Sequence, residues 1–283
     1  MPRILPGEQV PIDDVSARIS ISAGFGALQQ QMLREVAAWW QGRRERGTGS
    51  LASGVAAHLS LPHLRAYWPG SAVDEDGTLY DLSGQGRHLA AQGSSRPAAT
   101  VQGRSGVVTL SRHDGHYYRR AHEAGLNPES ALSMGAWVCC SASALSATLM
   151  GKMGPPGSYG FALVLHALSE DSATWRFYHS EDGSALGYNE KVVSRPASWH
   201  HVACTFRPVY GPALYVDGVP SVTPTIMPSA LAANAEPFTL GWSAFNPVNT
   251  LDAAIAHAFV CAGALHPDHL ADLYQETRYL FGV

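Results

Sequence analysis

From about residue 59 onward, hydrophobic and polar positions alternate with a period of two, in short runs cut by Gly, Pro, Ser and Asp. That is the pattern of half-buried strands joined by tight turns. The clearest run is Trp199–Arg207, where Trp199, His201, Ala203 and Thr205 alternate with His200, Val202, Cys204 and Phe206. Pro208, Gly211 and Pro212 force a loop after it. Ala213–Val216 reads as a second strand, and Asp217-Gly218 supplies the two positive-φ residues of a type I′ hairpin turn. Further strands are predicted over Leu64–Trp68, Gly106–Leu110, His116–Arg119, Met134–Ser141, Thr148–Lys152 and Tyr159–Ala167. Thr174–His179, Lys191–Ser194, Phe238–Trp242 and Ala253–Cys261 complete the set, and a short closing helix starts at Pro267 with Leu270, Leu273 and Tyr274 on one face. About a dozen short strands suit two packed sheets, so the fold class is all-β.

The first sixty residues follow other periods. Val15, Ala17, Ile19 and Ile21 alternate with polar residues, as in a strand that docks on its own sandwich edge or pairs with another chain. Leu28, Met32, Val36, Trp39 and Trp40 form one apolar stripe on a helix predicted from Phe25 to about Arg46. Arg43, Arg44 and Arg46 lie where cations favour a helix C-terminus, and Gly47–Ser50 reads as a flexible exit. The stripe either folds back on its own domain or anchors the protein to a larger assembly. The expected division is an N-terminal arm and amphipathic helix over 1–61 and a sandwich domain over 62–283. The predicted anchoring residues are Val15, Ile19, Ile21, Leu28, Met32, Val36, Trp39 and Trp40.

The Trp199-His200-His201-Val202-Ala203 run followed by Leu214-Tyr215-Val216-Asp217-Gly218 resembles the hallmark of the laminin-G-like, concanavalin A-like lectin/glucanase superfamily. Other parts of that pattern follow in order: Leu64–Trp68, the loop Tyr80–Gly86, the strand Leu132–Val138, Pro237–Gly241 and the helix Leu265–Tyr274. The resemblance covers about residues 62–283 and implies an antiparallel two-sheet jelly-roll sandwich, here preceded by an N-terminal arm and helix.

Composition narrows the function. Hydrophobic residues make up 46% and charged residues 15%, which is ample for a core. A net charge of −4 argues against nucleic-acid binding, which needs clustered Lys and Arg. No apolar run approaches the ~20 residues that span a bilayer. The start of the chain has no hydrophobic region of the Sec type, so synthesis in the cytoplasm without a Sec signal is expected. Cys139, Cys140, Cys204 and Cys261 show no metal-ligand spacing and read as buried free thiols.

Catalysis finds little support. Glycoside hydrolysis needs two carboxyls ~5–9.5 Å apart; related glucanases place them as an alternating Glu-x-Asp-x-Glu, and this chain has no such triplet. Asp74-Glu75-Asp76, Glu170-Asp171 and Glu181-Asp182 read as solvated turns. His200 and His201 project to opposite faces of one strand and cannot ligate one ion, and one of them should point into the sandwich. The resemblance implies a structural Ca²⁺ in the loop starting at Asp81, where Gln85, Arg87 and His88 depart from the pattern; Asp81 remains its one candidate ligand, or else caps its own turn. No other cofactor is expected. Tyr117, Tyr118, Trp175, Tyr178, Tyr188, Trp242 and Phe245 are available to stack on sugars, but alternation alone does not say which face outward. The expected function is that of a non-enzymatic structural and binding protein. Its lectin-like sandwich would be displayed on a larger assembly, with capsid or tail proteins or its own copies as partners. A bacteriophage virion surface is the assembly that the resemblance implies, as a head-decoration or tail-associated component. The alternative is a soluble carbohydrate-binding module, and a glycoside hydrolase ranks below both.

Overall fold

A computed structural model describes residues 51–127, 130–141, 146–194, 197–208, 210–221 and 228–283. The anchoring residues Val15, Ile19, Ile21, Leu28, Met32, Val36, Trp39 and Trp40 lie outside the described residues.

Two antiparallel sheets face each other. The first runs β13 (Val219–Pro220), β12 (Gly211–Val216), β11 (His200–Arg207), β6 (Leu132–Cys140), β15 (Ala253–Cys261), β4 (Ser105–Leu110) and β3 (Ala98–Gln102). The strand β1 (Leu64–Trp68) also pairs with β15. The second runs β10 (Gly187–Ser194), β9 (Ser172–His179), β8 (Phe161–Leu168), β7 (Ala147–Lys152), β14 (Phe238–Leu240), β5 (Tyr117–Arg120) and β2 (Ala90–Gln92). Period-two alternation builds the core: β6 sends Leu132, Met134, Ala136, Val138 and Cys140 between the sheets, where Trp68, Trp175, Phe177, Phe206 and Phe238 meet them. Burying each large side chain contributes about 1.5–3 kcal/mol relative to exposure.

β15 organises the first sheet. One edge pairs with β6 along the strand's length. The other edge pairs with β4 through Ala253–Ile255 and then with β1 through Ala258–Cys261. A bulge between Ala256 and Phe259 separates the two halves, and His257 sits in it at φ 51.

The outer face of this sheet is not open to water. It is covered by α1 (Leu51–Leu59), α2 (Pro267–Thr277) and a 3₁₀ turn at Arg278–Leu280. Trp137 is the post on which the cover rests: its Nε1 donates to Thr277 Oγ1 at 2.9 Å, and its ring stacks on Phe281 with centroids 4.5 Å apart. Under α1 lies a buried ring stack of His58, His257 and Tyr67, with His58 centroids 4.9 Å from His257 and 5.0 Å from Tyr67. His257 Nδ1 is hydrogen-bonded to Tyr67 Oη at 2.6 Å, and its Nε2 meets Ser105 Oγ at 2.9 Å. His201 joins this layer with no exposed surface, and among the described residues neither ring nitrogen has a hydrogen-bond partner.

Most of the predicted strands are present, with ends shifted by a few residues. Asp217 (φ 54) and Gly218 (φ 75) make the expected turn between β12 and β13. The Asp217 carboxylate also clamps the paired histidines: Oδ1 accepts from the His201 backbone N–H at 2.9 Å and Oδ2 meets His200 Nδ1 at 2.8 Å. As expected, one histidine of the pair is on the inner face: His200 lies opposite the core residue Val138, while the fully buried His201 faces the helical cover. Three differences stand out. β2, β3 and β13 are not legible as strands, because β3 is almost wholly exposed and the other two are only three and two residues long. The strand predicted to run to Trp242 stops at Leu240, since Gly241 turns the chain at φ 93. Finally, residues 51–59, grouped with the arm in the sequence reading, form α1 and bury Val55, Ala56 and His58 against the sandwich.

Candidate functional site

Among the described residues no helix covers the second sheet, so its outward side chains decide what this part of the protein can touch. Register fixes them. Ala162, Tyr178 and Tyr188 form one row across β8, β9 and β10, and Val164, Arg176 and Glu190 form the next. Trp175 and Phe177 on the same strand point the other way, into the core. Of the seven available aromatic residues, Tyr118 and Trp175 are therefore core residues, at 0% and 1% exposure. Tyr117, Tyr178, Tyr188, Trp242 and Phe245 belong to the outer surface.

Arg176 is the centre of that surface. Its guanidinium pairs with Glu190 at 2.6 Å, donates to Tyr178 Oη at 2.8 Å, and lies over the Tyr188 ring at 4.2 Å. Its Nη1 also lies 3.2 Å from His166 Nδ1. A guanidinium only donates, so His166 Nδ1 accepts and the ring carries its hydrogen on Nε2. Burial, with the Arg176 charge second, lowers the His166 pKa, which keeps that ring neutral. The loop over 242–250 crosses this face, held by Thr148 Oγ1 donating to Ser243 Oγ at 2.7 Å. Phe245 at its crest meets Tyr178 at 6.0 Å and Tyr159 at 5.8 Å between ring centroids. Tyr117 and Trp242 stack at 5.0 Å beside the loop. The result is a rigid aromatic floor around one fixed cation and one carboxylate. Such a surface stacks on the apolar face of a sugar ring while the polar groups hydrogen-bond its hydroxyls. Sequence reasoning missed Arg176, Glu190, His166 and Tyr159; the usable signal was a charge at matched outward positions of two neighbouring strands.

The Asp81 loop is a different arrangement. Asp81 Oδ1 accepts from the backbone N–H groups of Tyr67 (2.9 Å) and Ser83 (2.8 Å). Its Oδ2 accepts from Ser83 Oγ (2.9 Å) and the Arg87 backbone N–H (2.8 Å). Four donors aimed at one carboxylate organise a turn and do not fit a calcium ligand set, which wants several oxygens turned toward the ion. Among the described residues no group of three or more His, Cys, Asp or Glu side chains converges as metal ligands. Asp81→Asn is expected to cost about 1–3 kcal/mol, because an amide N–H then opposes buried donors. Thermal melts with calcium and with a chelator should coincide; a calcium-dependent gain of several degrees would reverse this reading of the loop.

The acidic turn is also structural. Asp74 accepts from the Thr78 backbone N–H at 2.8 Å and from Tyr80 Oη at 2.9 Å, and Asp76 faces Arg96 at 3.9 Å on the surface.

Comparison with known proteins places this geometry. The family described as the concanavalin A-like lectin/glucanases superfamily matches residues 113–271. No curated protein matches the chain in sequence. Among solved structures, domain 4 of AbnA, an extracellular arabinanase from Geobacillus stearothermophilus in complex with arabinotriose, superimposes with a TM-score of 0.55 at 18% identity, over 75% of this chain and 98% of that one. The binding domain of Paraclostridial Mosquitocidal Protein 1 gives 0.54 at 13% identity, over 75% of this chain and 52% of its own. A botulinum neurotoxin type C structure, from work on its entry into cells through two ganglioside molecules, gives 0.51 at 10% identity, over 74% and 50%. The chain thus spans about half the length of the two toxin structures. At these identities the likeness is one of fold.

Proposed function

The chain belongs to the concanavalin A-like lectin/glucanase superfamily, and from that premise we propose that it is a non-catalytic, glycan-recognising module whose recognition surface is the outer face of the second sheet. The observation that carries this reading is Arg176, held by Glu190 and Tyr178 inside a floor of Tyr159, Tyr178, Tyr188 and Phe245. The arabinotriose held by the arabinanase domain and the gangliosides met by the neurotoxin support a sugar as the ligand class. A glycan array with the intact protein tests it. A bound neutral glycan should lose at least ~10-fold in affinity on Tyr178→Ala, a loss equivalent to about 1.4 kcal/mol, with the melting temperature little changed. An array with no neutral hit, or neutral hits indifferent to Tyr178→Ala and Arg176→Ala together, would remove the face from consideration.

Display on a larger assembly is the second part of the reading, with a bacteriophage particle as the carrier that the sequence resemblance suggests. The supporting observation is the position of α1, which packs on α2 and on the first sheet, on the side away from Arg176. Residues 1–50 would then attach behind while the sugar face looks outward. Deleting residues 1–50 should leave the melting temperature nearly unchanged and abolish self-association or attachment to the carrier. A truncated protein that unfolds, or one that keeps its oligomeric state and its attachment, would show that the arm is a stability element instead.

A further inference from the structure

Lys152, at the end of β7, has no exposed surface. Fully buried lysines are rare unless paired, because removing an ammonium from water costs several kcal/mol. Yet among the described residues no ion pair includes it. Its Nζ lies 2.7 Å from His122 Nδ1 and donates to the Asn234 carbonyl at 3.1 Å. The carboxylate that most influences it, Glu236, accepts from Ser158 Oγ at 3.1 Å. The Asn234 side chain fixes the neighbourhood by donating to the carbonyls of Lys152 (3.3 Å) and Ser158 (3.1 Å).

An open cleft of about 400 Å³ lies directly outside this charge, lined by His122, Ala124, Asn127, Ala233, Asn234 and Ala235. That volume suits a small sugar. Its three alanines are flat apolar patches, and Asn127 adds an amide. His122 links cleft and charge. An ammonium has only hydrogens to offer, so Nδ1 accepts and the imidazole hydrogen sits on Nε2, on a side chain that is exposed. The cationic Lys152 behind the ring makes that N–H a stronger donor, and none of the residues lining the cleft is a carboxylate.

We propose that this cleft is a second binding site, one that takes the carboxylate of an acidic sugar on the His122 Nε2–H, with Lys152 as the positioning charge behind the ring. The site is separate from the Arg176 face and does not depend on it. Burial lowers the Lys152 pKa to about 8. Affinity for an anion should therefore fall as pH rises through that region, where the ammonium is lost.

The test is calorimetric titration of the full chain with galacturonate, with N-acetylneuraminate and with neutral galactose, repeated on His122→Ala, Lys152→Met and Tyr178→Ala. The expected result is binding of at least one acidic sugar ~10-fold or more above galactose. That binding should be lost in His122→Ala and Lys152→Met, unchanged in Tyr178→Ala, and weaker at pH 9 than at pH 7. His122 is exposed, so its variant should fold even where Lys152→Met does not, and it then decides the matter with the pH profile. Absence of acidic-sugar binding, equal binding of galactose, or binding that survives His122→Ala would overturn the proposal. Loss in Tyr178→Ala with retention in His122→Ala would overturn it while supporting the Arg176 face.

Discussion

Lowering the pH from 7.5 to 4.5 should unfold this protein. Burial depresses the pKa of His201 and His179 to about 4 and that of His257 to about 3, and His58 also lies well below the ordinary value of 6.5. After burial, neighbouring rings lower His58 and His257 further, while the Gly54 carbonyl raises His58 and Asp217 raises His201. The sign follows from proton counting. Above pH 6.5 these rings are neutral both folded and unfolded, so they contribute nothing to pH dependence. Below 6.5 the unfolded chain binds protons that the folded chain refuses, and each group removes about 1.4 kcal/mol of stability per pH unit until its own folded value is reached. The three groups with folded values of about 3 to 4 amount over two units to a loss on the order of 5–10 kcal/mol, comparable to the whole stability of an ordinary domain, with His58 adding in the same direction. Melting curves at pH 7.5, 6.5, 5.5 and 4.5 should show a steep fall confined to the range below 6.5. A melting temperature that stays level down to pH 4.5 would show that the helical cover admits water to these rings.

The largest single-residue effect should come from Trp137→Ala, at about 3–5 kcal/mol. Trp137 has no exposed surface and lies on the central strand β6, opposite His201 on one side and Ala256 on the other. Its ring supports Phe281 and Tyr274, and its Nε1 reaches Thr277, whose Oγ1 in turn donates to the Leu273 carbonyl at 2.6 Å. Truncation removes the ring and orphans its partners together. For a domain of this size the loss corresponds to a drop of roughly 10–15 °C in melting temperature. It should also release α2 and the residues after it to limited proteolysis at temperatures where the parent resists. Trp137→Phe keeps the stacking but not the hydrogen bond, and should cost only about 1 kcal/mol. A Trp137→Ala protein melting within a few degrees of the parent would mean that the C-terminal cover is held from elsewhere.

What is legible in the sequence is whatever local alternation encodes. Val202, Cys204 and Phe206 alternate with His201, Ala203 and Thr205 because both faces of β11 are buried by different layers, one by the opposite sheet and one by helices. Asp217-Gly218 is legible because two positive-φ positions admit few residues. The binding face is not, because it depends on register between strands. Arg176 and Glu190 lie fourteen residues apart and meet only when Tyr188 is set opposite Tyr178 across the loop that joins β9 to β10. Lys152 looks like the solvated end of a strand and proves to be buried, since the chain over 233–236, distant in sequence, folds over it. His58 lies in a stretch that the sequence groups with the N-terminal arm, and only the closure of α1 against β15 gives it a place.

The two-sided pairing of β15 sets the order in which the molecule can be made. Its partner β1 is nearly two hundred residues earlier in the chain, since Trp68 pairs with Ala258 and Leu64 with Cys261. Its other partners, β4 and β6, lie in between. None of the three can complete its ladder until β15 has left the ribosome, and topologies closed by such distant pairings fold slowly, in milliseconds to seconds. Throughout synthesis β1, β4 and β6 therefore wait with open edges while every residue ahead of α1 is already outside the ribosome. Any partner that captures that leading segment meets it before a finished sandwich exists behind it.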